Sequence, residues 1–306
     1  MKRICVVIIN YKTPELVLDC ISSLREQLDW DHDHIVVVDN CSGGNDVSRL
    51  EQGIVEDGLG QLVTLVTAPS NGGFSSGNNI GIAAVSANYY LLANGDTLFR
   101  SGAIAQLLRG AEEYPEAGMI SPRLEWPDGR AQISCFRFHS PISELITIAS
   151  IAPLTNMLQQ FDVPLPVTEE VSWPNWISFA CVLVRRQVVE RVGPMDEGYF
   201  MYYEDADYCR QARQAGFLVM NWPLAHVVHL RGQSSGLKKM QHQRKRLPSY
   251  HYQSRARYFR KFYGPLGLVA SNLCWLVGRF VSGLRELLTG KERTVAESAL
   301  RDIWQG

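Results

Sequence analysis

Apolar and polar positions in the first 115 residues follow two alternating regimes. Ile4 to Ile9 is an apolar run without a break, as suits a strand buried on both faces inside a parallel sheet. Thr13-Pro14-Glu15 then supplies an N-cap and a proline for a first helical turn, and Leu16, Cys20, Ile21 and Leu24 recur at helical spacing. The cycle repeats three times. Ile35 to Val38 runs into Asp39-Asn40-Cys41-Ser42-Gly43-Gly44, Leu62 to Thr67 into the Gly/Asn-rich stretch Asn71 to Asn79, and Tyr89 to Ala93 into Asn94-Gly95-Asp96 before a helix over 101–114. This alternation predicts a doubly wound α/β sheet. Ligands of such sheets gather at the carboxyl ends of the strands, and three of the four predicted strands end in polar groups: Asn10-Tyr11, Asp39-Asn40 and Asn94-Gly95-Asp96.

The pattern is less regular afterwards. Residues 118–175 hold a hairpin-like Pro127-Asp128-Gly129 and an apolar stretch from Pro141 to Pro166 that the period does not place. Val182 to Arg185 reads as a strand entering a helix, Ala206 to Ala215 as a helix closed by Gly216, and Phe217 to Asn221 as a short strand before Pro223, His226 and His229. Near the end, Leu266, Val269, Leu273, Leu276, Phe280, Leu284 and Leu287 recur at steps of three or four, while Ser271, Gly278, Ser282 and Arg285 fall elsewhere on the wheel. That is an amphipathic helix.

Composition adds one feature that this pattern does not contain. The 306 residues have a net charge of −1, yet residues 1–207 carry 13 Lys/Arg against 27 Asp/Glu, whereas residues 208–285 carry 14 Lys/Arg and no acid. The asymmetry points to an anionic partner near the basic segment. Lys238, Lys239, Arg244, Lys245, Arg246, Arg255, Arg257, Arg260 and Lys261, interleaved with tyrosine and phenylalanine and leading into the apolar stripe, suit an anionic membrane surface. A helix packing on the catalytic domain or on a second subunit in a homodimer reads equally from the stripe. Nucleic acid fits the charge alone, with no recognition motif, and is not expected. Seven scattered cysteines with no Cys-x-x-Cys pair suggest neither a disulfide framework nor a thiolate zinc site and fit a reducing, cytoplasmic setting. The apolar run after Lys2-Arg3 is too short for a secretory leader, and Leu266 to Gly278 is too short and too polar for a span.

Several residues carry candidate chemistry. Asp96 at a strand end beside Asn94 is placed to hold a divalent metal through oxygen, though Asn-Gly-Asp is also a turn sequence. Glu204, Asp205 and Asp207 fall within four residues, where mutual repulsion raises a carboxylate pKa toward general-base use; the same cluster also reads as an acidic helix N-terminus. His229 is a candidate metal ligand or a structural histidine. Asn71-Gly72-Gly73 brings backbone amides within reach of phosphate but has no Walker lysine. Trp176 and Phe179 are candidates to stack on a ligand, or core aromatics.

Taken in order, Val6-Val7-Ile8-Ile9-Asn10-Tyr11, Val37-Val38-Asp39-Asn40-Cys41-Ser42, Asn71-Gly72-Gly73-Phe74 with Asn78 and Gly81, Leu92-Ala93-Asn94-Gly95-Asp96-Thr97, and Phe200 to Asp207 with His229 resemble the family 2 glycosyltransferases, in particular the rhamnosyltransferase-like branch. The resemblance spans about residues 3–263. It implies a GT-A fold over 1–235, with a nucleotide-sugar part at about 1–115 and an acceptor part at about 116–235, followed by a basic helical extension over 236–306. It further implies that Asn10, Tyr11, Asp39, Asn71, Gly72, Asn78, Asn94 and Asp96 bind the nucleotide sugar. Asp96 and His229 would hold Mg²⁺ or Mn²⁺, Asp205 would be the base, and Glu204, Trp176 and Phe179 would meet the acceptor. The implied reaction is inverting transfer of a sugar, with deoxythymidine-diphosphate rhamnose the leading donor. The acceptor would be a saccharide, free or polyprenyl-diphosphate-linked, at the cytoplasmic face of a membrane. Two departures stand out: Asn94 replaces an acid in the family's Asp-x-Asp element, and Phe179 stands where many relatives have glycine. The competing readings are a nucleotide-sugar-binding protein without catalysis and a nucleic-acid-binding protein acting through its basic segment.

Overall fold

A computed structural model of the chain describes residues 1–231, 243–290, 295–296 and 298–305. The first half follows the predicted cycles: β1 (Lys2–Asn10), α1 (Pro14–Leu24), β2 (His34–Asp39), α2 (Asp46–Glu56), β3 (Val63–Thr67), α3 (Gly73–Ala84), β4 (Ala87–Asn94), β5 (Thr97–Phe99) and α4 (Ala103–Glu113). Then come β6 (Ala117–Glu125), β7 (Cys135–Phe136), α5 (Pro141–Ala149), α6 (Ala152–Met157), a 3₁₀ turn at Gln159–Phe161, β8 (Trp176–Ile177), β9 (Cys181–Arg185), α7 (Arg186–Val192), α8 (Glu204–Gln214) and β10 (Leu218–His229). A long helix, α9 (Ser249–Thr289), and a short one, α10 (Ala299–Asp302), complete the described chain.

Eight strands form one mixed sheet in the order β3-β2-β1-β4-β9-β6-β10-β5. β1 to β4 are parallel, β9 inserts antiparallel between β4 and β6, and β5 runs antiparallel to β10. Side chains alternate across the sheet as the two-residue period requires. Ile4, Val6, Ile8, Val37 and Leu91 meet α1, α2 and α4 on one face, whereas Cys5, Val7, Val36 and Leu92 meet the layer holding α7, α8 and α9 on the other. Both faces are therefore covered, which explains why these strands are apolar throughout. All seven cysteines are free thiols.

The later elements depart from the expectation in three places. The strand predicted over 217–221 is one 12-residue strand that continues to His229, because the register shift between Trp222 and His226 absorbs Pro223 in a bulge. The unplaced stretch from Pro141 becomes helical: Ser140 and Ser143 form a reciprocal capping box ahead of α5, with Pro141 in its first turn. The third departure concerns the basic segment. Lys238 and Lys239, and the expected boundary near 235, lie outside the described residues, but α9 docks on the domain through its charges. Lys261 Nζ lies 2.7 Å from Asp207 and 3.2 Å from Asp196, and Arg257 bonds Asp196 at 2.7 Å.

α9 is two helical segments joined at Gly264-Pro265, where Gly264 adopts φ 70°, ψ −178°. The residue before a proline is kept out of the helical region, and glycine reaches positive φ at little cost. A buried polar cluster clamps the two segments to α5. Arg255 donates to Glu144 at 2.8 Å, to Asn272 at 2.7 Å and to Ser271 at 3.3 Å. Truncating Arg255 would leave the Glu144 charge buried and unpaired, which costs about 3–5 kcal/mol. Arg255→Leu is expected to lower the urea midpoint strongly, and adding Glu144→Leu to recover most of the loss, which a double-mutant cycle measures.

Candidate active site

Parallel pairing brings the ends of β1 and β2 side by side, with Asn10 opposite Asp39. Both are buried. Asn10 Nδ2 donates to Asp39 Oδ1 at 2.7 Å and to Ser42 Oγ at 3.1 Å, while the Ser42 amide donates to Asp39 Oδ2 at 3.1 Å. Both Asp39 oxygens are thus held in place. Tyr11, 38% exposed, stands at the rim of this corner with Lys12 over its ring. Ser42 brackets Asn10, Asp39 and the Lys12 amide, a role that its place in the sequence does not announce.

The loop before α3 is built on Asn40 and Asn71. Asn40 donates to Asn71 Oδ1 and to the Gly73 carbonyl, each at 3.0 Å, and the Gly73 amide donates to Asn71 Oδ1. Gly73 has φ 83° and packs so tightly on the Phe200 carbonyl that a Cβ would overlap it, while the Phe74 amide donates to that carbonyl at 2.8 Å. Gly72 precedes the first turn of α3, and Asn78 is buried with its amide on the Phe74 carbonyl. Asn78 is therefore a brace for the helix start, and the loop joins the β3 end to the chain leading into α8.

Asp96 follows β4 and sits 2% exposed, with neither carboxylate oxygen bonded among the described residues. β5 pairs with β10 so that Thr97 faces His229, which brings His229 Nε2 to 3.5 Å from Asp96 Oδ1 and leaves His229 Nδ1 without a partner among the described residues. A buried carboxylate without a donor is costly, and an oxygen set beside an imidazole nitrogen suits a divalent metal. Asp96 and His229 could hold such an ion. No group of three or more His, Cys, Asp and Glu gathers among the described residues, so the remaining ligands would come from substrate and water. Asn94 fixes the strand end, its amide donating to the Ala180 carbonyl at 2.9 Å and its carbonyl accepting from Thr97 Oγ1 at 2.7 Å.

The acidic cluster resolves into three different environments. Asp207 accepts from Tyr199 at 2.7 Å and pairs with Lys261, so it is a structural anchor. Glu204 is buried with one oxygen unbonded, and burial together with Asp205 pushes its pKa well up. Asp205 is half-buried, accepts from the Ala206 amide and is approached by the Phe179 amide; burial pushes its pKa up to about 7. A carboxylate titrating there is matched to proton abstraction near neutral pH. Two successive residues in the left-handed region, Tyr202 (φ 72°) and Tyr203 (φ 68°), turn the chain into α8. Neither is glycine, so the turn stores strain next to these carboxylates.

The two aromatics expected to face a sugar are in the core. Trp176, 8% exposed, stacks on Phe136 at 4.1 Å and on His139 at 5.6 Å, and its indole donates to the Arg137 carbonyl. Phe179, 2% exposed, meets the edge of Tyr208. Both rings belong to the core on the α8 face of the sheet. The structure does gather the β4 end with α8: Ala180 holds Asn94, and the adjoining Phe179 amide reaches Asp205.

Comparison with known proteins bears on this arrangement. Residues 5–150 match the family model described as Glycosyl transferase family 2. An N-acetylglucosaminyl-diphospho-decaprenol L-rhamnosyltransferase of Mycobacterium tuberculosis is 32% identical over 160 residues, 51% of this chain and 51% of that protein. The low-salt glycan biosynthesis hexosyltransferase Agl10 of Haloferax volcanii is 24% identical over 73% of this chain and 66% of its own length. The chain thus spans about half the length of the first of these curated relatives and about two thirds of the second. Among solved structures, the mannosyltransferase PcManGT of Pyrobaculum calidifontis, in complex with GDP-Man and Mn²⁺, superposes with a TM-score of 0.60 at 14% identity, over 95% of this chain and 77% of that one. GalNAc-T7 with UDP, GalNAc and Mn²⁺ gives 0.59 at 12% identity, over 94% and 56%. These likenesses establish the GT-A fold. The sheet and the strand-end motifs agree with these likenesses: residues 5–150, just under half of the chain, match the family 2 glycosyltransferase model, and about half of the chain is similar to a rhamnosyltransferase.

Proposed function

We propose that the protein transfers a sugar, with inversion, from a nucleotide-diphosphate donor to a saccharide acceptor carried on a polyprenyl diphosphate, with deoxythymidine-diphosphate rhamnose the first donor to try. The observation that carries this reading is Asp96, a carboxylate buried at a strand end with neither oxygen bonded and an imidazole 3.5 Å away. The relatives named above support the class of donor and acceptor. The unit responsible would be residues 1–235, with 236–306 as its extension.

In this reading Tyr11 and the corner at Asn10 and Asp39 receive the base and ribose, and the Asn71-Gly72 loop and Asn94 border the diphosphate. A Mg²⁺ or Mn²⁺ ion held by Asp96 and His229 would neutralise the charge of the departing diphosphate. Asp205 takes the proton of the acceptor hydroxyl as its oxygen bonds the anomeric carbon; the bond from that carbon to the donor phosphate breaks, and its electron pair leaves with the nucleoside diphosphate. Glu204, whose pKa burial and the neighbouring Asp205 push well up, leaves Asp205 as the member of the pair readier to act as base. No enzyme nucleophile is needed.

Two substitutions test the assignment. Asp205→Asn should retain donor binding and lose about 10²–10⁴-fold in turnover, the scale of general-base catalysis. In the unsubstituted protein turnover should rise with pH through about 7, because the basic form is the deprotonated one, and fall tenfold per unit below it. Asp96→Asn removes a buried charge, so without metal its melting midpoint should rise by about 1–2 °C, on the scale of 1 kcal/mol for a chain of this size. Added Mn²⁺ with nucleotide sugar should raise the midpoint of the unsubstituted protein and leave that of Asp96→Asn unmoved. Turnover surviving Asp205→Asn, or a metal response surviving Asp96→Asn, would overturn the respective role.

A further inference from the structure

The second segment of α9 is packed with its amphipathic pattern reversed. Toward α5 it presents Ser271, Asn272, Trp275, Gly278 and Ser282, all buried. At Gly278 the contact is so close that a Cβ would meet the Leu145 carbonyl at 2.8 Å and the Ala149 amide at 3.2 Å. The outward face carries Leu266, Val269, Leu273, Val277, Phe280 and Leu287, of which Leu266 is 83% and Phe280 67% exposed. Only 28% of the most apolar window of this helix is buried, although its mean hydropathy of 1.3 and its length would serve a membrane span.

In water, an amphipathic helix docks by its apolar face and leaves its small and polar residues outside. The reverse arrangement, with small residues at a close helix–helix contact, a polar network as the glue and aliphatic side chains facing out, is the packing of a helix whose outer solvent is lipid. The buried Arg255, Glu144, Asn272 and Ser271 cluster completes that likeness. Charge selects among the occupants of the apolar face. Residues 265–288 carry Arg279 and Arg285 against the single acid Glu286, so a second copy docking by the same face would bring like charges together, whereas anionic lipid is complementary.

We infer that the outward face of residues 265–288 is a membrane-docking surface, lying in the plane of one leaflet of an anionic bilayer. A span is not the fitting mode, because one side of the helix is fixed along α5 and Arg279, Arg285 and Glu286 lie within it, half-buried against the protein. Ser254, on the first segment of the same helix, donates to the Met201 carbonyl at 3.0 Å, three residues before Glu204. Docking the second segment therefore sets the candidate active site at a fixed height above the lipid. The inference uses no step of the sugar-transfer reading, and its test reads no activity, so the two stand or fall separately.

The full chain is to be floated through a density gradient with vesicles of phosphatidylglycerol and phosphatidylcholine, at low salt and at about 1 M NaCl, where charge-only attraction is screened within ~3 Å. The protein is expected to float in both, and the triple variant Leu273→Ser, Val277→Ser, Phe280→Ser to stay at the bottom with an unchanged melting midpoint. Each large apolar side chain removed from lipid is worth roughly tenfold or more, so the variant should partition at least about a thousandfold less. Absence of flotation of the unsubstituted chain, flotation lost entirely at high salt, or equal flotation of the variant would overturn the inference. So would a concentration-dependent dimer, abolished by the variant, in a protein that ignores vesicles.

Discussion

Two carboxylates with no arginine or lysine beside them among the described residues organise this molecule. Asp96 is buried and Asp205 half-buried, and the second is pushed toward neutrality by its burial. Burying a charge without a partner opposes folding, so the surrounding framework must hold it against that penalty. The framework is visible in the other acids. Asp39 is bracketed by Asn10 and Ser42, and Asp207 is tied to Tyr199 and Lys261. Acids tied on both oxygens or paired with a cation are anchors, whereas Asp96 and Asp205 keep an oxygen to meet a cation or a proton. Stability is given up locally at such sites, as enzymes commonly do.

The half of the site on the parallel strands was legible because it is local. Strands buried on both faces announce themselves by apolar runs, and their polar ends mark where loops converge, which placed Asn10, Asp39, Asn94 and Asp96 at one edge of the sheet before any coordinates. The α8 cluster was legible too, as three acids in four residues, but not its division of labour. Nothing in the spacing of Glu204, Asp205 and Asp207 reveals that Lys261, 54 residues beyond Asp207, neutralises one of them. The pairing that delivers His229 to Asp96 was equally hidden. It requires β10 to continue through a proline, and β5 to run antiparallel to it, and neither has a short-range signature.

Packing bears on two choices that the sequence leaves open. Trp176 and Phe179 read from the sequence as sugar platforms or as core aromatics, and their faces are filled by Phe136, His139 and Tyr208. Large rings gain most from full burial, and the sequence does not say which rings achieve it. The basic stretch reads from the sequence as meeting a membrane or as packing on the domain, and Arg255, Arg257 and Lys261 point their charges at Glu144, Asp196 and Asp207. The acids absent from 208–285 are supplied by the preceding chain, so part of the charge asymmetry is complementarity within the molecule.

Periodicity defines the faces of a helix without saying which one turns inward. For the second segment of α9 the decision rests on Gly278 and the serines beside it. Small side chains let α5 approach within van der Waals contact of the helix backbone, and Arg255 supplies the donors that Asn272 and Ser271 would otherwise lack. With the leucine face turned in, the same contact would hold the helices apart and leave that polar cluster unmade. The first segment meanwhile needs its tyrosines and Phe259 against the sheet layer. One straight helix cannot satisfy both demands, and the break at Gly264-Pro265 lets each segment choose its own face.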